Sequence, residues 1–232
     1  MLADMRVQTF AARAIGMACA AATDRARTTG RATGRALGEA SWDARAAFLT
    51  PIAKAYGTDT GHAVAELGIQ VHGGAGFIEA TGAAQFARDV RVTQIYEGTN
   101  GIQAMDLVGR KFADGGTAAY LLLDEIEDLA RSRADATSAG LIAATGAVRS
   151  TTARLLGVPL NDRFAGAVPC LGAYARLLGT HFHALAAAAD PTRELLARLA
   201  VTRMLPEIPG LLAQAESGAD DLYALTEALV LP

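Results

Sequence analysis

The chain has 232 residues, of which 51% are hydrophobic and 19% charged, which is enough apolar material for one large or two small cores and excludes a disordered tail. The net charge is −3, with 12 Lys and Arg against 10 Asp and Glu in residues 1–112 and 9 against 14 in residues 113–232, so neither half has the basic excess that nucleic-acid binding requires. Aromatic residues make up only 6% and alanine is abundant, which predicts an all-α fold built from closely packed helices.

The chain opens on a helical pattern. Apolar residues recur with a period near 3.6 from Leu2 onward, which predicts a helix over residues 2–27 that is already under way at Met1. A helix without a preceding cap favours the interpretation that upstream sequence is missing. Residues 28–35, which are rich in Gly, Thr and Arg, are predicted to form a solvated loop. The start has no signal-peptide pattern and no stretch of 18 uncharged apolar residues occurs, so we expect a soluble, cytoplasmic protein without a membrane span.

The next segment contains two helix starts and a glycine-rich stop. Ser41 is predicted to cap a short helix that ends at Phe48. Thr50-Pro51 then predicts a second start, because a capping hydroxyl followed by proline at the first helical position is typical of helix entry. The second helix is expected to run to about His72 and to stop at the Gly73-Gly74-Ala75-Gly76 segment.

Helical patterns continue to the end of the chain. Residues 82–92 are predicted to be helical and residues 94–98 to form a turn, followed by a helix over 99–112 that is capped by Thr99 or Asn100. Asp114-Gly115-Gly116-Thr117 is the clearest linker. Beyond it, helical periodicity recurs over residues 118–133, 137–156, 164–189, 191–203, 206–216 and 220–229. The expected architecture is a four-helix-bundle-like domain, residues 1–113, followed by an appended helical domain, residues 117–232.

Taken one at a time, the candidate sites have ordinary explanations. The glycines at 73, 74 and 76 do not fit a dinucleotide-fold fingerprint, because a helix precedes them and the third glycine would fall near Glu79. They fit a helix cap better than a close approach of pyrophosphate, although both remain open. Glu97 alone is typical of a solvated loop acid. His181 and His183 are two apart on a helix and point to different faces, so no metal site is expected.

Three spaced motifs change this interpretation when they are taken together. They are Gln70-Val71-His72-Gly73-Gly74-Ala75-Gly76-Phe77, Arg88-Asp89, and Ile95-Tyr96-Glu97-Gly98-Thr99-Asn100-Gly101-Ile102-Gln103. This set resembles the signature of the acyl-CoA dehydrogenase family in its C-terminal four-helix domain, over about residues 1–112. The upstream Leu49-Thr50-Pro51-Ile52-Ala53-Lys54 is also similar to that family. Within the family, the sequences of Gln70–Glu79 and Asn100–Lys111, together with the appended helical region, resemble the branch that includes 3-methylmercaptopropionyl-CoA dehydrogenase.

The resemblance implies a reaction and a base. Oxidation of an acyl-CoA to the 2-enoyl-CoA removes a proton from Cα and a hydride from Cβ, so it needs a base on one side and a flavin on the other. The family places its base at the position of Glu97, and burial of such a carboxylate beside an apolar acyl chain makes it a stronger base. Tyr96 is expected to line the acyl pocket, and Gly98 to leave room for the thioester.

The resemblance also implies FAD and partners. Gln70, Gly73 and Gly74 correspond to the segment that contacts the ADP part of the FAD bound to a neighbouring subunit. Thr99 corresponds to a residue whose side-chain hydroxyl contacts the FAD bound to its own subunit. Many family members carry a polar residue where this chain has Gly101. Because glycine has no side chain to contact FAD, Asn100 is the preferred candidate for a further contact with the cofactor. A homo-oligomer, either dimer or tetramer, and an electron-transfer flavoprotein as electron acceptor are expected by the same analogy.

The sequence lacks counterparts of the family's N-terminal helical domain and middle β-domain. Since those domains complete the flavin and substrate sites, this chain alone is expected to bind FAD weakly or not at all and to be inactive. The alternative is a catalytically inactive helical oligomerisation or interaction module, in which residues 117–232 dock against the rest of the enzyme or a sister subunit. A DNA-binding tail is disfavoured by the excess of five acidic residues over basic ones in residues 113–232.

Overall fold

The computed structural model describes residues 1–32 and 42–230, and every regular element in these ranges is helical. The α-helices are α1 (Leu2–Ala32), α2 (Trp42–Val71), α3 (Gly74–Phe77), α4 (Ala83–Arg91), α5 (Asn100–Asp106), α6 (Thr117–Arg133), α7 (Ser138–Leu156), α8 (Leu160–Ala165), α9 (Ala167–Ala189), α10 (Glu194–Met204), α11 (Ile208–Ala215) and α12 (Asp220–Val230). Short 3-10 turns occupy Glu79–Thr81, Val92–Gln94, Pro191–Arg193 and Leu205–Glu207, and α5 continues into a π-helical turn, Leu107–Lys111.

The two longest helices form an antiparallel pair. Cys19 of α1 lies beside Thr50 of α2, with 3.5 Å between Sγ and Oγ1, while the start of α1 reaches the second half of α2. The residues that each helix buries recur at helical spacing, on α1 at Val7, Ala11 and Ile15 and on α2 at Phe48, Leu49, Ile52, Ala55 and Tyr56. Small and large side chains therefore alternate along the contact, which lets the two helices pack closely.

The predicted break at Thr50-Pro51 is wrong, because α2 is continuous through Pro51. Proline removes one backbone hydrogen bond and costs about 3 kcal/mol or more in a helix interior. Phe48, Leu49 and Ile52 are all fully buried on either side of it, and this burial outweighs the cost. The predicted loop is also wrong for residues 28–32, which extend α1. Ser41, the predicted cap, and residues 33–35 lie outside the described residues.

Helix α9 occupies the centre of the molecule and packs against α1, α2 and α5 as well as α7, α10 and α11. Its Tyr174 ring lies 5.3 Å from the ring of Phe48 and 6.3 Å from that of Phe112, both before the predicted domain boundary. The Tyr174 hydroxyl lies 2.6 Å from the hydroxyl of Thr152 on α7. The hydrophobic core is thus continuous across residue 113, and the division into domains at that point stays a prediction about folding units.

The predicted linker is a tight turn. Gly115 and Gly116 have left-handed φ values of 77° and 78°, and the Asp114 carboxylate accepts hydrogen bonds from the amides of Gly116 and Thr117. The helices predicted after it are confirmed with small shifts, except that the predicted helix 164–189 is divided at Gly166. A Cβ on Gly166 would lie 2.1 Å from the carbonyl oxygen of Ala215, so the small residue there permits close packing of α11. In the described part of the chain, no helix has the length and apolar character needed to cross a membrane.

Candidate functional site

The glycine segment after α2 makes a sharp reversal. Gly73 has φ 59°, the left-handed conformation that glycine adopts without strain, and α3 then folds back against the end of α2. A Cβ on Gly76 would lie 2.2 Å from the carbonyl oxygen of Ile69, so glycine is required there by packing. Gly73 and Gly74 differ, because nothing lies within 4 Å of a Cβ built on either one. Together with the exposed Gln70, they leave the backbone uncovered at this reversal, and the predicted contact with a pyrophosphate group stays a prediction.

Glu97 lies on a second left-handed turn, between the 3-10 turn Val92–Gln94 and α5. Its φ is 57° and that of Gly98 is 86°, and a positive φ at a glutamate is uncommon enough to suggest a functional reason. Tyr96 and Glu97 are both exposed. Within the described residues, the Glu97 carboxylate makes no ion pair or hydrogen bond. The turn therefore presents a free carboxylate beside an aromatic ring.

Two side chains hold the backbone of this turn from behind. Lys54 Nζ of α2 donates to the carbonyl oxygen of Gly98 at 2.7 Å, and Gln103 Nε2 of α5 donates to the carbonyl oxygen of Glu97 at 3.0 Å. Both carbonyls of the turn are therefore held by side chains of the neighbouring helices, while the Glu97 residue is exposed.

Asn100 and Thr99 are placed differently from each other. Asn100 Oδ1 accepts from Lys54 Nζ at 2.7 Å, and its Nδ2 donates to Asp59 Oδ1 at 2.6 Å. Asp59 Oδ1 also accepts from Gln94 Nε2 at 2.6 Å. The Thr99 hydroxyl caps α5 by accepting from the amide of Ile102 at 3.4 Å. The Asn100 amide is thus engaged by α2, and its role as a cofactor contact stays a prediction.

The sequence analysis did not assign roles to Lys54, Asp59 or Gln103. A signal was available, because 19 of the 21 basic residues are arginine and Lys54 is one of two lysines. Lys54 and Thr58, four residues apart, also share one face of α2, and Asp59 follows directly. A lysine in an arginine-rich chain, followed four and five residues later by polar side chains, is a pattern consistent with a polar contact at this part of α2.

The structure places the predicted site residues in two separate regions. The Glu97 turn contacts α2 at Lys54, whereas Gln70, Gly73 and Gly74 lie at and beyond the other end of that helix. Sixteen residues separate Lys54 from Gln70, which is about 24 Å along a helix that rises 1.5 Å per residue. The glycine segment and the Glu97 turn therefore belong to different parts of the surface.

The surface between these two regions is unusually apolar. Six large side chains in it are more than half exposed, among them Phe77 at 84% and Phe86 at 72%, the others being Ile78, Val92, Ile95 and Ile102. An apolar groove of about 440 Å³ runs beside them, lined by Val64, Ala65, Phe86 and Val90 among others. Apolar exposure of this extent marks a binding or interaction surface.

Comparison with known proteins assigns this architecture. Residues 1–112 match the family model described as acyl-CoA dehydrogenase, C-terminal domain. A 3-methylmercaptopropionyl-CoA dehydrogenase from Ruegeria pomeroyi is 38% identical over 184 residues, which are 74% of this chain and 30% of that protein. A butyryl-CoA dehydrogenase from Syntrophomonas wolfei is 47% identical over 62 residues, which are 27% of this chain and 10% of that protein. The chain thus spans less than a third of the length of these relatives.

The fold is shared with a solved structure. The crystal structure of an acyl-CoA dehydrogenase complexed with FAD from Bacillus anthracis superposes with a TM-score of 0.68, at 18% identity, over 98% of this chain and 44% of that one. The appended helices are included in that superposition, because nearly the whole chain is covered. Residues 1–112 of this chain belong to the acyl-CoA dehydrogenase family, as its C-terminal helical domain.

Proposed function

We propose that this chain is the C-terminal part of an FAD-dependent acyl-CoA dehydrogenase in which Glu97 is the catalytic base. The observation that carries the proposal is the Glu97 turn, where a free, exposed carboxylate is held in a left-handed backbone by Lys54 and Gln103. A base on a fixed backbone is what proton abstraction from a positioned substrate requires.

In the proposed reaction, Glu97 breaks the Cα–H bond of the acyl-CoA and takes the proton on its carboxylate. FAD, when bound, supplies the acceptor for the hydride that leaves Cβ, so a 2-enoyl-CoA results and the two electrons remain on the flavin. Tyr96 lines the acyl side of the base. The side chain missing at Gly98 leaves space for the thioester. The acceptor of the electrons is an electron-transfer flavoprotein by family analogy.

The two regions of the surface have different roles in this proposal. Gln70, Gly73 and Gly74 contact the ADP part of the FAD of a neighbouring subunit, which agrees with their distance from Glu97 along α2. Thr99 and Asn100 contact the subunit's own FAD. The chain then acts as a homo-oligomer, and the exposed apolar side chains between the two regions are covered in the assembled enzyme.

The test is an assay of the complete protein that carries this chain. Wild type and Glu97→Gln are compared on a panel of acyl-CoA thioesters with an artificial electron acceptor. We expect wild type to oxidise at least one thioester and Glu97→Gln to lose at least about 10³-fold in kcat, since the amide accepts no proton. Flavin content serves as the control and is expected to be unchanged. Turnover of Glu97→Gln near the wild-type rate would refute the assignment of the base.

The second candidate is an inactive helical interaction module, and the exposed Phe77 and Phe86 favour it. The two candidates do not differ in what they predict for this chain in isolation. A module predicts colourless oligomers with no dehydrogenase activity, and the same is expected of a fragment that lacks the family's other domains. The complete protein decides, because only the dehydrogenase proposal predicts yellow, active material.

A further inference from the structure

Lys54 takes no part in the proton or hydride transfer of the proposed reaction, although it contacts the Glu97 turn and lies in one of the motifs that stand out in the sequence. Its ammonium group is half-buried between α2 and the Glu97 turn. Both of its hydrogen-bond partners are neutral oxygens, the carbonyl of Gly98 and the side-chain oxygen of Asn100, each at 2.7 Å. Among the described residues, Lys54 forms no ion pair with any carboxylate.

Within the described residues, the turn and the start of α5 supply both of the oxygen atoms that the ammonium group contacts. A partly buried cation without a counterion needs oxygen atoms nearby, and hydrogen bonds to charged groups are stronger than those between neutral groups. If the backbone at Glu97 and Gly98 leaves its left-handed conformation, the Gly98 carbonyl rotates away and Lys54 loses one of these oxygens. The charge on Lys54 thus opposes relaxation of a strained turn.

The same cation orients the Asn100 amide. Because Lys54 donates to Oδ1, the Nδ2 group must point the other way, where it reaches Asp59 Oδ1 at 2.6 Å and Thr58 Oγ1 at 2.9 Å. Asp59 in turn accepts from Gln94 Nε2. Both ends of the segment 94–100, which carries Glu97 near its middle, are therefore fastened to α2.

We infer that Lys54 is a positioning residue that fixes the backbone of the catalytic base, acting through the Gly98 carbonyl and the Asn100 amide. The inference rests on the proposed function of Glu97. Since Lys54 acts through these two groups and not as the base itself, we expect its loss to lower kcat and to leave the KM for the acyl-CoA nearly unchanged.

The kinetic test uses Lys54→Met and Lys54→Arg in the complete flavoprotein that carries this chain. Lys54→Met keeps the apolar stem and removes the charge, and we expect it to lower kcat by about 10- to 100-fold, a range typical of a misplaced catalytic group. KM is expected to change less than about threefold. The rate is expressed per bound flavin, because Lys54 also orients Asn100, which is proposed to contact FAD. Lys54→Arg restores a cation and is expected to recover part of the lost kcat. The matched control is Lys111→Met, the other lysine, which pairs with Asp106 at 3.4 Å, and it is expected to keep wild-type kcat.

A second readout does not depend on activity. A glutamyl endopeptidase cuts after glutamate, so the rate of cleavage after Glu97 in this chain reports how firmly the turn is held. We expect faster cleavage there in Lys54→Met and wild-type cleavage in Lys111→Met.

The two readouts keep the inference separate from the proposed function. The inference is overturned if cleavage after Glu97 is unchanged in Lys54→Met. It is also overturned if cleavage is faster but kcat is unchanged, or if Lys111→Met loses as much kcat as Lys54→Met. If the wild-type protein oxidises no acyl-CoA, the proposed function fails, while faster cleavage in Lys54→Met still supports the hold of Lys54 on the turn.

Discussion

At the scale of the residue, the most informative feature is the pair of left-handed residues Glu97 and Gly98. Glycine at 98 adopts φ 86° without a steric penalty, whereas glutamate at 97 does so at a cost of about 1–2 kcal/mol. A strained conformation persists where its surroundings fix it. Here Lys54 and Gln103 fix it through hydrogen bonds to the carbonyls of Gly98 and Glu97. The backbone of the turn is therefore held in one conformation by these contacts.

Replacement of Gly98 by alanine tests that statement. The new Cβ would lie 3.1 Å from Gln103 Nε2 and the residue would keep a left-handed φ, so we expect Gly98→Ala to lower the free energy of unfolding by about 1–3 kcal/mol. Gly101→Ala is the matched control, because that position is helical and nothing lies within 4 Å of the new Cβ. It is expected to be neutral or to stabilise by up to about 1 kcal/mol. Urea unfolding of the chain measures both, and equal effects of the two substitutions would contradict the interpretation.

At the scale of the element, the end of α2 separates glycines needed for packing from glycines left open. Gly76 lets α3 approach the last turn of α2, while Gly74, two residues earlier, faces open space. In the sequence, Gly73, Gly74 and Gly76 form a single cluster. Only the packing of α3 on α2 distinguishes them, since a contact between segments is not visible in a local pattern.

Alanine substitutions at these two glycines are expected to act on different properties. Gly76→Ala forces a Cβ to within 2.2 Å of the Ile69 carbonyl oxygen, and we expect a loss of about 1–3 kcal/mol in the free energy of unfolding. Gly74→Ala is expected to leave that free energy within about 0.5 kcal/mol of wild type. In the complete protein, Gly74→Ala is expected to reduce bound flavin, measured by absorbance after purification. Full flavin content in Gly74→Ala would remove Gly74 from the proposed cofactor contact.

At the scale of the whole molecule, α9 connects the two predicted bundles through a shared core. Tyr174 packs on Phe48 and Phe112 and is buried completely, which raises the pKa of its phenol, and its hydroxyl is bonded to that of Thr152. A continuous core predicts that the chain unfolds as one cooperative unit.

Trp42, the single tryptophan, reports on that cooperativity from α2. We expect Tyr174→Ala on α9 to cost about 3–5 kcal/mol and to shift the fluorescence transition of Trp42 together with the helical transition seen by circular dichroism. Leu225→Ala on α12, where the side chain is 58% exposed, is the control and is expected to shift neither. A Trp42 transition that stays at its wild-type position in Tyr174→Ala would show two independent folding units.

A pH dependence follows from the buried His181 of α9. Burial lowers the pKa of His181 from 6.5 to about 4, with nearby Glu125 raising it and Arg45 lowering it further. Because the folded state binds the proton less tightly than the unfolded state, the stability is present above pH 6.5 and is lost as the pH falls toward 4. At pH 5 the loss is about 2 kcal/mol.

The measurement is thermal unfolding between pH 7.5 and 5. His181→Leu is expected to flatten the decline in Tm over this range, because it removes the proton acceptor and keeps an apolar side chain in the site. Burial also lowers the pKa of His183, so a smaller decline remains in that variant. His72→Gln, at the exposed end of α2, is the control and is expected to keep the wild-type slope. If Tm declined equally steeply with falling pH in wild type and in His181→Leu, His181 would be excluded as the source of the pH dependence.

The sequence by itself determined the all-α fold, nearly all helices after residue 117 and the family resemblance of residues 1–112, and it narrowed the cap of α5 to Thr99 or Asn100, of which the structure shows Thr99. These follow from local periodicity, capping and motif spacing, which a linear pattern contains. The tertiary structure alone decided the course of α2 through Pro51 and the central place of α9, because burial between distant segments outweighs local signals. The extension of α1 to Ala32 was also seen only in the structure. The tertiary structure also decided that Lys54 lies behind the Glu97 turn. Forty-three positions separate the two residues in the sequence, and only the packing of α5 on α2 brings them together.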